Sequence, residues 1–230
     1  MNKIMHKRTG FTLIEIMVSM AISGMLIAGI YGVYTIQQRT YTVQEQVTEM
    51  QQKGRAALDF MVRDIRMAAY NEPDGSCESE GISIASPELL AFETCDKDGN
   101  QVVLEYGLYD AFGSNGNGLV DDLYRSKNGG TRQLIAEGVD ALEFHYLDED
   151  ATSLTTSVTD IGMLNNIRSI QISMLLRASY PDARYTDTIP YQPASGSTNW
   201  NSKQTNNNPP GDHYHRRLLI TTVKLRNMGL

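Results

Sequence analysis

The sequence predicts an α+β protein: a long N-terminal helix, apolar in its first half and amphipathic in its second, packed on a mainly antiparallel β-sheet head. Three observations predict this. Phe11 to Ile36, FTLIEIMVSMAISGMLIAGIYGVYTI, carries one formal charge, Glu15, and no proline interrupts the chain from Phe11 until Pro73. From Val43 the apolar or small positions Val43, Val47, Met50, Gly54, Ala57, Leu58, Met61, Ile65 and Ala68 recur at the three-or-four spacing of one helical face. After Cys77 the pattern changes to short β-rich runs separated by turn residues.

The first ten residues, MNKIMHKRTG, hold Lys3, Lys7 and Arg8, no acid, and a glycine at the junction with the apolar run. A secretory signal places its small-residue cleavage site after the apolar run, whereas Gly10 precedes it, so the run is expected to stay in the mature protein. It is long enough to cross a bilayer core of roughly 30 Å. Basic residues beside a first membrane helix stay cytoplasmic, which sends the C-terminal remainder across the membrane. Glu15 is costly at that depth unless paired or protonated, which marks it as a functional candidate. Lying five residues into the run, it could equally snorkel to the headgroups, and position alone does not separate the two.

KRTGFTLIEIMVSMAISGMLI resembles the class III signal of type IV prepilins and type II secretion pseudopilins: a basic leader, Gly10, Phe11, Thr12-Leu13-Ile14, then glutamate fifth after the junction. The resemblance implies a pilin-like fold, cleavage between Gly10 and Phe11 by a prepilin peptidase on the cytoplasmic face, and N-methylation of Phe11. It also implies that Glu15 answers the new positive N-terminus, within the subunit or across to a neighbour, since a buried charge persists mainly when another compensates it.

Residues 37–70 continue the helix, which would reach on the order of 90 Å over about 60 residues. Gly24, Gly29 and Gly32 in the membrane half permit close helix approach or bending, and ordinary membrane-helix composition accounts for them equally well. Asn71, Pro73 and Gly75 are stop signals. RAALDFMVRDIRMAAY, from Arg55 to Tyr70, resembles the end of the long helix in PilW-type minor pilins, with Arg63, Asp64, Arg66, Met67 and Tyr70 in the recurring places. A solvated charged face with intrahelical pairs such as Asp59 to Arg63 explains the individual charges without a function.

Cys77 and Cys95 both lie on the exported side, where an isolated pair this close in sequence is most simply a disulfide, worth roughly 3 kcal/mol. No C-x-x-C supports a redox pair. The expected strands are Leu89 to Thr94, Val102 to Leu108, Leu134 to Ala136, Ala141 to Leu147, Ile167 to Leu176 and Leu218 to Leu225. Ile170, Ile172, Met174 and Leu176 share one face against Ser169, Gln171 and Ser173. His145 shares a strand face with Glu143 and reads as an exposed sheet position. Val139 to Leu147 and the ending RRLLITTVKLRN resemble PilW-type segments, and related endings occur in pseudopilin J.

Asp110 to Asp122, DAFGSNGNGLVDD, is the most metal-like stretch, with Asn115, Asn117 and Asp121 as candidate ligands. A calcium loop needs an acid first and a glutamate last, and Gly113 and Tyr124 hold those places, so a tight Asn/Gly-rich connection between strands is the better reading. No metal or cofactor is expected. Asp212, His213 and His215, after NNNPPG, read as a mobile loop, and Tyr185 to Pro210 as a variable one. The nucleophile-elbow, zincin, phosphate-loop and dinucleotide motifs are absent, which disfavours an enzyme.

The organisation expected is thus a leader at 1–10, a transmembrane and assembly half at 11–36, an amphipathic half at 37–70 and a periplasmic head at 71–230. The chain carries 20 bases and 27 acids, net −7, and removing Lys3, Lys7 and Arg8 leaves 17 against 27, net −10. An acidic exported head disfavours nucleic acid or anionic lipid as a nonspecific ligand. The resemblance implies a minor pilin that primes type IV pilus assembly at or near the tip, or alternatively a type II secretion pseudopilin contacting exported substrate. Expected partners are minor and major pilins through the helix, the prepilin peptidase and the inner-membrane assembly platform. The chain would be a single-pass inner-membrane protein before incorporation into a filament.

Overall fold

One helix, α1 (Leu13–Ile65), contributes to both units into which the chain divides, Met1–Glu45 and Gln46–Leu230. A computed structural model describes residues 10–110, 121–154, 161–196, 200 and 210–228. In the first unit, every residue from Phe11 to Ile36 except Gly32 is exposed. The most apolar 18-residue window has a mean hydropathy of 2.1 and none of it is buried, so this part of α1 is long and apolar enough to cross a membrane.

In the second unit α1 turns one stripe inward. Met50, Gly54, Ala57, Leu58, Met61 and Ile65 are buried, as is Ala68 just beyond, and Val47 is half-buried against the same core. Beneath them lie two antiparallel sheets rather than one. The first has the order β1 (Ile82–Ala85), β2 (Leu90–Cys95), β3 (Gln101–Tyr109), β4 (Asp122–Lys127), β5 (Gln133–Ala136). The second is β6 (Val139–Leu147), β7 (Ser169–Arg177), β8 (Arg216–Lys224), with the single-turn α2 (Ile161–Leu164) before β7. The break between sheets falls at Gly138, φ 70°, after which the Val139 amide donates to the Asp121 carbonyl instead of extending β5.

Phe92, Leu104 and Tyr106 from the first sheet and Phe144, Tyr146, Ile170, Ile172 and Met174 from the second enter one core with the helix stripe. At Gly54 the approach is close: a Cβ built there would stand 2.0 Å from Leu176 Cδ1 and 3.1 Å from Leu219 Cδ1. Further along, Asp64 leaves the helix surface for the first sheet, where its Oδ2 accepts from the Tyr106 hydroxyl at 2.6 Å and Arg125 Nε at 2.7 Å. The Arg125 guanidinium also lies 5.5 Å from the Phe60 ring centroid.

The regular helix stops at Ile65, before the stop signals at Asn71, Pro73 and Gly75. Tight turns follow, Met67 donating to Asp64 at 2.9 Å and Ala68 to Ile65 at 3.1 Å. Ala69 adopts φ 57° and its amide is captured at 3.0 Å by the Glu93 carbonyl of β2, which removes the bond a further helical turn would need. The Asn227 side chain donates to the Ala68 carbonyl at 3.2 Å. A disulfide joins Cys77 to Cys95, tying the segment after the helix to the end of β2.

Between β7 and β8 the chain forms a strap over the outer face of the second sheet. Its two arms pair by backbone bonds from Ala178 to His215, Asp182 to His213 and Asp187 to Asp212. Ala194 donates to Ser173 Oγ at 3.0 Å and the Ser195 hydroxyl to Glu143 Oε1 at 2.9 Å. Glu143 beneath the strap is 6% exposed, and His145 on the same strand face, expected to be an exposed sheet position, is 8% exposed. The described part of the tract from Tyr185 to Pro210 is likewise a packed element, with Asp187 and Tyr191 buried.

A buried charge network holds the strap down. Arg216 Nε donates to Asp140 at 2.6 Å, its Nη1 to Asp187 at 3.1 Å and Asp212 at 2.6 Å, and its Nη2 to Asp212 at 2.7 Å. The other Asp140 oxygen accepts from Arg177 Nε at 2.8 Å, and Arg177 reaches Asp121, just before β4, with a second nitrogen. Burial works against the Arg216 charge, yet the bonds and charges of Asp212 and Asp140 outweigh it and raise its pKa. Burial likewise pushes the Asp121 carboxyl above its ordinary value, with Arg177 opposing.

Three outcomes are expected from urea unfolding of the full chain in detergent. Gly54→Ala should destabilise by about 1–3 kcal/mol through overpacking, despite a helix-propensity gain of up to about 1 kcal/mol, and should couple favourably to Leu176→Ala. Asp140→Ala should cost about 3–5 kcal/mol, because both buried guanidinium groups lose a partner. The native Asp121 carboxyl binds a proton more readily than the unfolded one, so its contribution is largest in acid. It falls as pH rises from 3.8 through the raised native value. Wild type should therefore lose stability relative to Asp121→Asn, whose side chain does not titrate, as pH rises across that window.

Candidate assembly site

At the start of α1, Thr12 and Glu15 bond reciprocally. The Thr12 amide donates to Glu15 Oε2 at 3.0 Å, the Glu15 amide to Thr12 Oγ1 at 3.3 Å, and the Thr12 hydroxyl to the same carboxylate at 3.1 Å. This is a capping box, in which two amides that lack helical partners are satisfied by two side chains. Its sequence signal, Thr12-Leu13-Ile14-Glu15, is an S/T-x-x-E spacing that a reading centred on membrane depth passes over. Glu15 thus has a structural duty within its own first turn. The negative group also stands at the positive end of the helix dipole. One turn on, Ser19 Oγ donates to the Glu15 carbonyl at 2.8 Å.

Around this cap the surface is apolar on every side. Phe11 is 86% exposed, Leu13 77% and Ile14 69%, and Gly10 is exposed as well. The arrangement offers one carboxylate set in an apolar cylinder, suited to lipid and to other apolar helices and to one compensating cation beside Glu15. Nothing in it resembles a set of groups for bond chemistry.

The other sequence candidates are spread through the head. Asn115 and Asn117 lie outside the described residues. Asp121 is engaged by Arg177 and is 5% exposed, so its carboxylate serves the link between sheets rather than an open ligand position. Asp212, His213 and His215, expected in a mobile loop, lie in one arm of the strap, where their carbonyls accept from Asp187, Asp182 and Ala178. Asp212 binds Arg216, and the His215 ring stacks on Tyr185 with centroids 3.8 Å apart while its Nε2 lies 3.5 Å from Asp182. Among the described residues no group of three or more His, Cys, Asp or Glu side chains could hold a metal ion. Asp64, whose sheet-facing role is described above, turns away from the helix surface, while the intrahelical pair observed is Lys53 with Glu49 at 2.8 Å. That long-range pairing left no local signal, since Arg125 lies 61 residues away.

Comparison with known proteins fits this geometry. Residues 5–31 match the prokaryotic N-terminal methylation motif, and residues 111–227 match the model of type IV pilus-assembly protein W. No curated protein sequence matches the chain. Among solved structures, the type IV-like pilin TTHA1219 from Thermus thermophilus is similar over 79% of this chain and 100% of its own, with a TM-score of 0.51 and 12% identity. That likeness shows a common fold. With a family match over just over half of its length, and the methylation motif at its start, the chain belongs to the type IV pilus-assembly protein W family of type IV pilin-like proteins.

Proposed function

We propose that this chain is a non-enzymatic minor pilin that primes assembly of a type IV pilus and is incorporated at or near its tip. The observation that carries the reading is the apolar segment from Phe11 to Ile36, exposed on all sides and continuous with a helix whose later stripe is buried under the head. Such a surface needs lipid before assembly and other helices after it. A prepilin peptidase would cut between Gly10 and Phe11, with N-methylation of Phe11, and the chain would sit in the inner membrane with its head periplasmic until extraction. Its partners are then other minor and major pilins through α1, together with the inner-membrane assembly platform.

In this reading Glu15 compensates the N-terminal cation at Phe11, of its own chain or of a neighbour. A subunit with no pilin above it has no such neighbour, so Glu15 suits a position beneath at least one partner. The capping box supplies a sharp test. Glu15→Gln keeps a side chain able to bond the Thr12 amide but removes the charge, whereas Glu15→Ala removes both. Both variants are expected to lower surface piliation and recovery of the minor-pilin complex at least about tenfold, the effect of losing one interaction of about 1.4 kcal/mol. Normal piliation with Glu15→Gln and loss with Glu15→Ala would assign the residue to helix capping alone.

The homologous role in type II secretion is separated by deleting the chain and scoring surface pili and secreted proteins in parallel. Loss of pili with secretion intact is expected. The opposite outcome would make the chain a pseudopilin.

A further inference from the structure

Beside the end of α1 lies a cleft of about 600 Å³ whose wall is formed by Asp59, Arg63, Arg66, Met67 and Tyr70 of the helix end and by Arg226 just after β8. The Asn227 bond to the Ala68 carbonyl fixes the two sides against each other. Three guanidinium groups therefore face one carboxylate. Among the described residues, Arg63, Arg66 and Arg226 make no ion pair, whereas Arg125, Arg177 and Arg216 all do. All three are exposed, as is Met67 at 41%. On a chain of net charge −7, this is a local excess of positive charge that the single carboxylate of the cleft, Asp59, does not balance.

We infer that this cleft is a docking surface for an acidic segment of another protein. Unpaired arginines present forked donors that match carboxylates two bonds at a time, and a cleft gathers them more favourably than a flat surface does. Met67 and the Tyr70 ring supply an apolar wall for the backbone or side chains between the acids, which a free anion would not use. A nucleic acid is disfavoured by the net negative charge of the remainder, since such a polyanion needs a longer basic track than three residues provide. The assignment does not depend on which filament machine the chain serves.

The test uses the full chain in nonionic detergent with a fluorescein-labelled decaglutamate peptide, read by anisotropy at low salt. Saturable binding with Kd below about 1 mM is expected. The triple variant Arg63→Ala, Arg66→Ala, Arg226→Ala should weaken it by about tenfold or more, the triple Lys variant by only about threefold, and Arg217→Ala on exposed β8 not at all. Salt should weaken it further. Thermal unfolding checks that the triple variant is folded, which exposed substitutions are expected to allow. Equal binding by wild type and triple-Ala chains, or absence of binding, overturns the inference. It is also overturned if a ten-residue oligothymidylate binds more tightly than the peptide. Displacement of the peptide by an equal concentration of inorganic phosphate does so as well.

Discussion

Burial of one stripe of α1, from Met50 to Ile65, is the constraint on which the head depends. Two small sheets of five and three strands cannot each close a core alone, and a helix laid along both gives them a common one. Gly54 sets how near the helix comes to β7 and β8, and Asp64 fixes its far end to β3 and β4 through Tyr106 and Arg125. The helix is thus held by a close apolar approach at one point and by a charged clasp at another, with the hydrophobic area between them supplying most of the driving force.

The outer side of the second sheet obeys a different rule. Its cover is a polar strap, and most of the polar groups buried there are held by hydrogen bonds, His145 Nδ1 being an exception. Asp140 makes this possible by offering one oxygen to Arg177 and the other to Arg216, so that the ends of β7 and β8 meet at one carboxylate, and Arg216 in turn holds Asp187 and Asp212 from the two arms of the strap. Tyr191 and Asp187 are buried together for the same reason, the hydroxyl donating at 3.1 Å to a carboxylate that also accepts from Arg216.

These two rules account for what the sequence disclosed. The stripe was readable because every position from Met50 to Ala68 picked out by spacing is buried, and the six expected strands occur within a few residues of their limits. Strand β4, DLYRSK, was missed because its polar residues find partners far away in sequence: Arg125 at Asp64, Tyr124 at Glu105. Strand β1 is four residues with only its ends buried, too short to alternate. The strap read as a loop because its composition is polar, and only the buried arginines turn that composition into structure. At the candidate site, the leader, Gly10, Phe11 and Glu15 stand out by motif and by charge, while the cap is a three-residue spacing whose role rests on the four unpartnered amides of a helix start rather than on hydropathy.

The Thr12–Glu15 cap carries an implication for how any contact at Glu15 is made. The carboxylate already holds a backbone amide and a hydroxyl of its own chain, an arrangement worth roughly 1 kcal/mol. Both internal bonds fall on Oε2, and a carboxylate has further acceptor sites on its second oxygen, so an approaching cation can take Oε1 and leave the cap intact. Such a cation meets an acid whose orientation is already set. The first turn of α1 thus aims one oxygen outward by hydrogen bonds made inside the subunit itself.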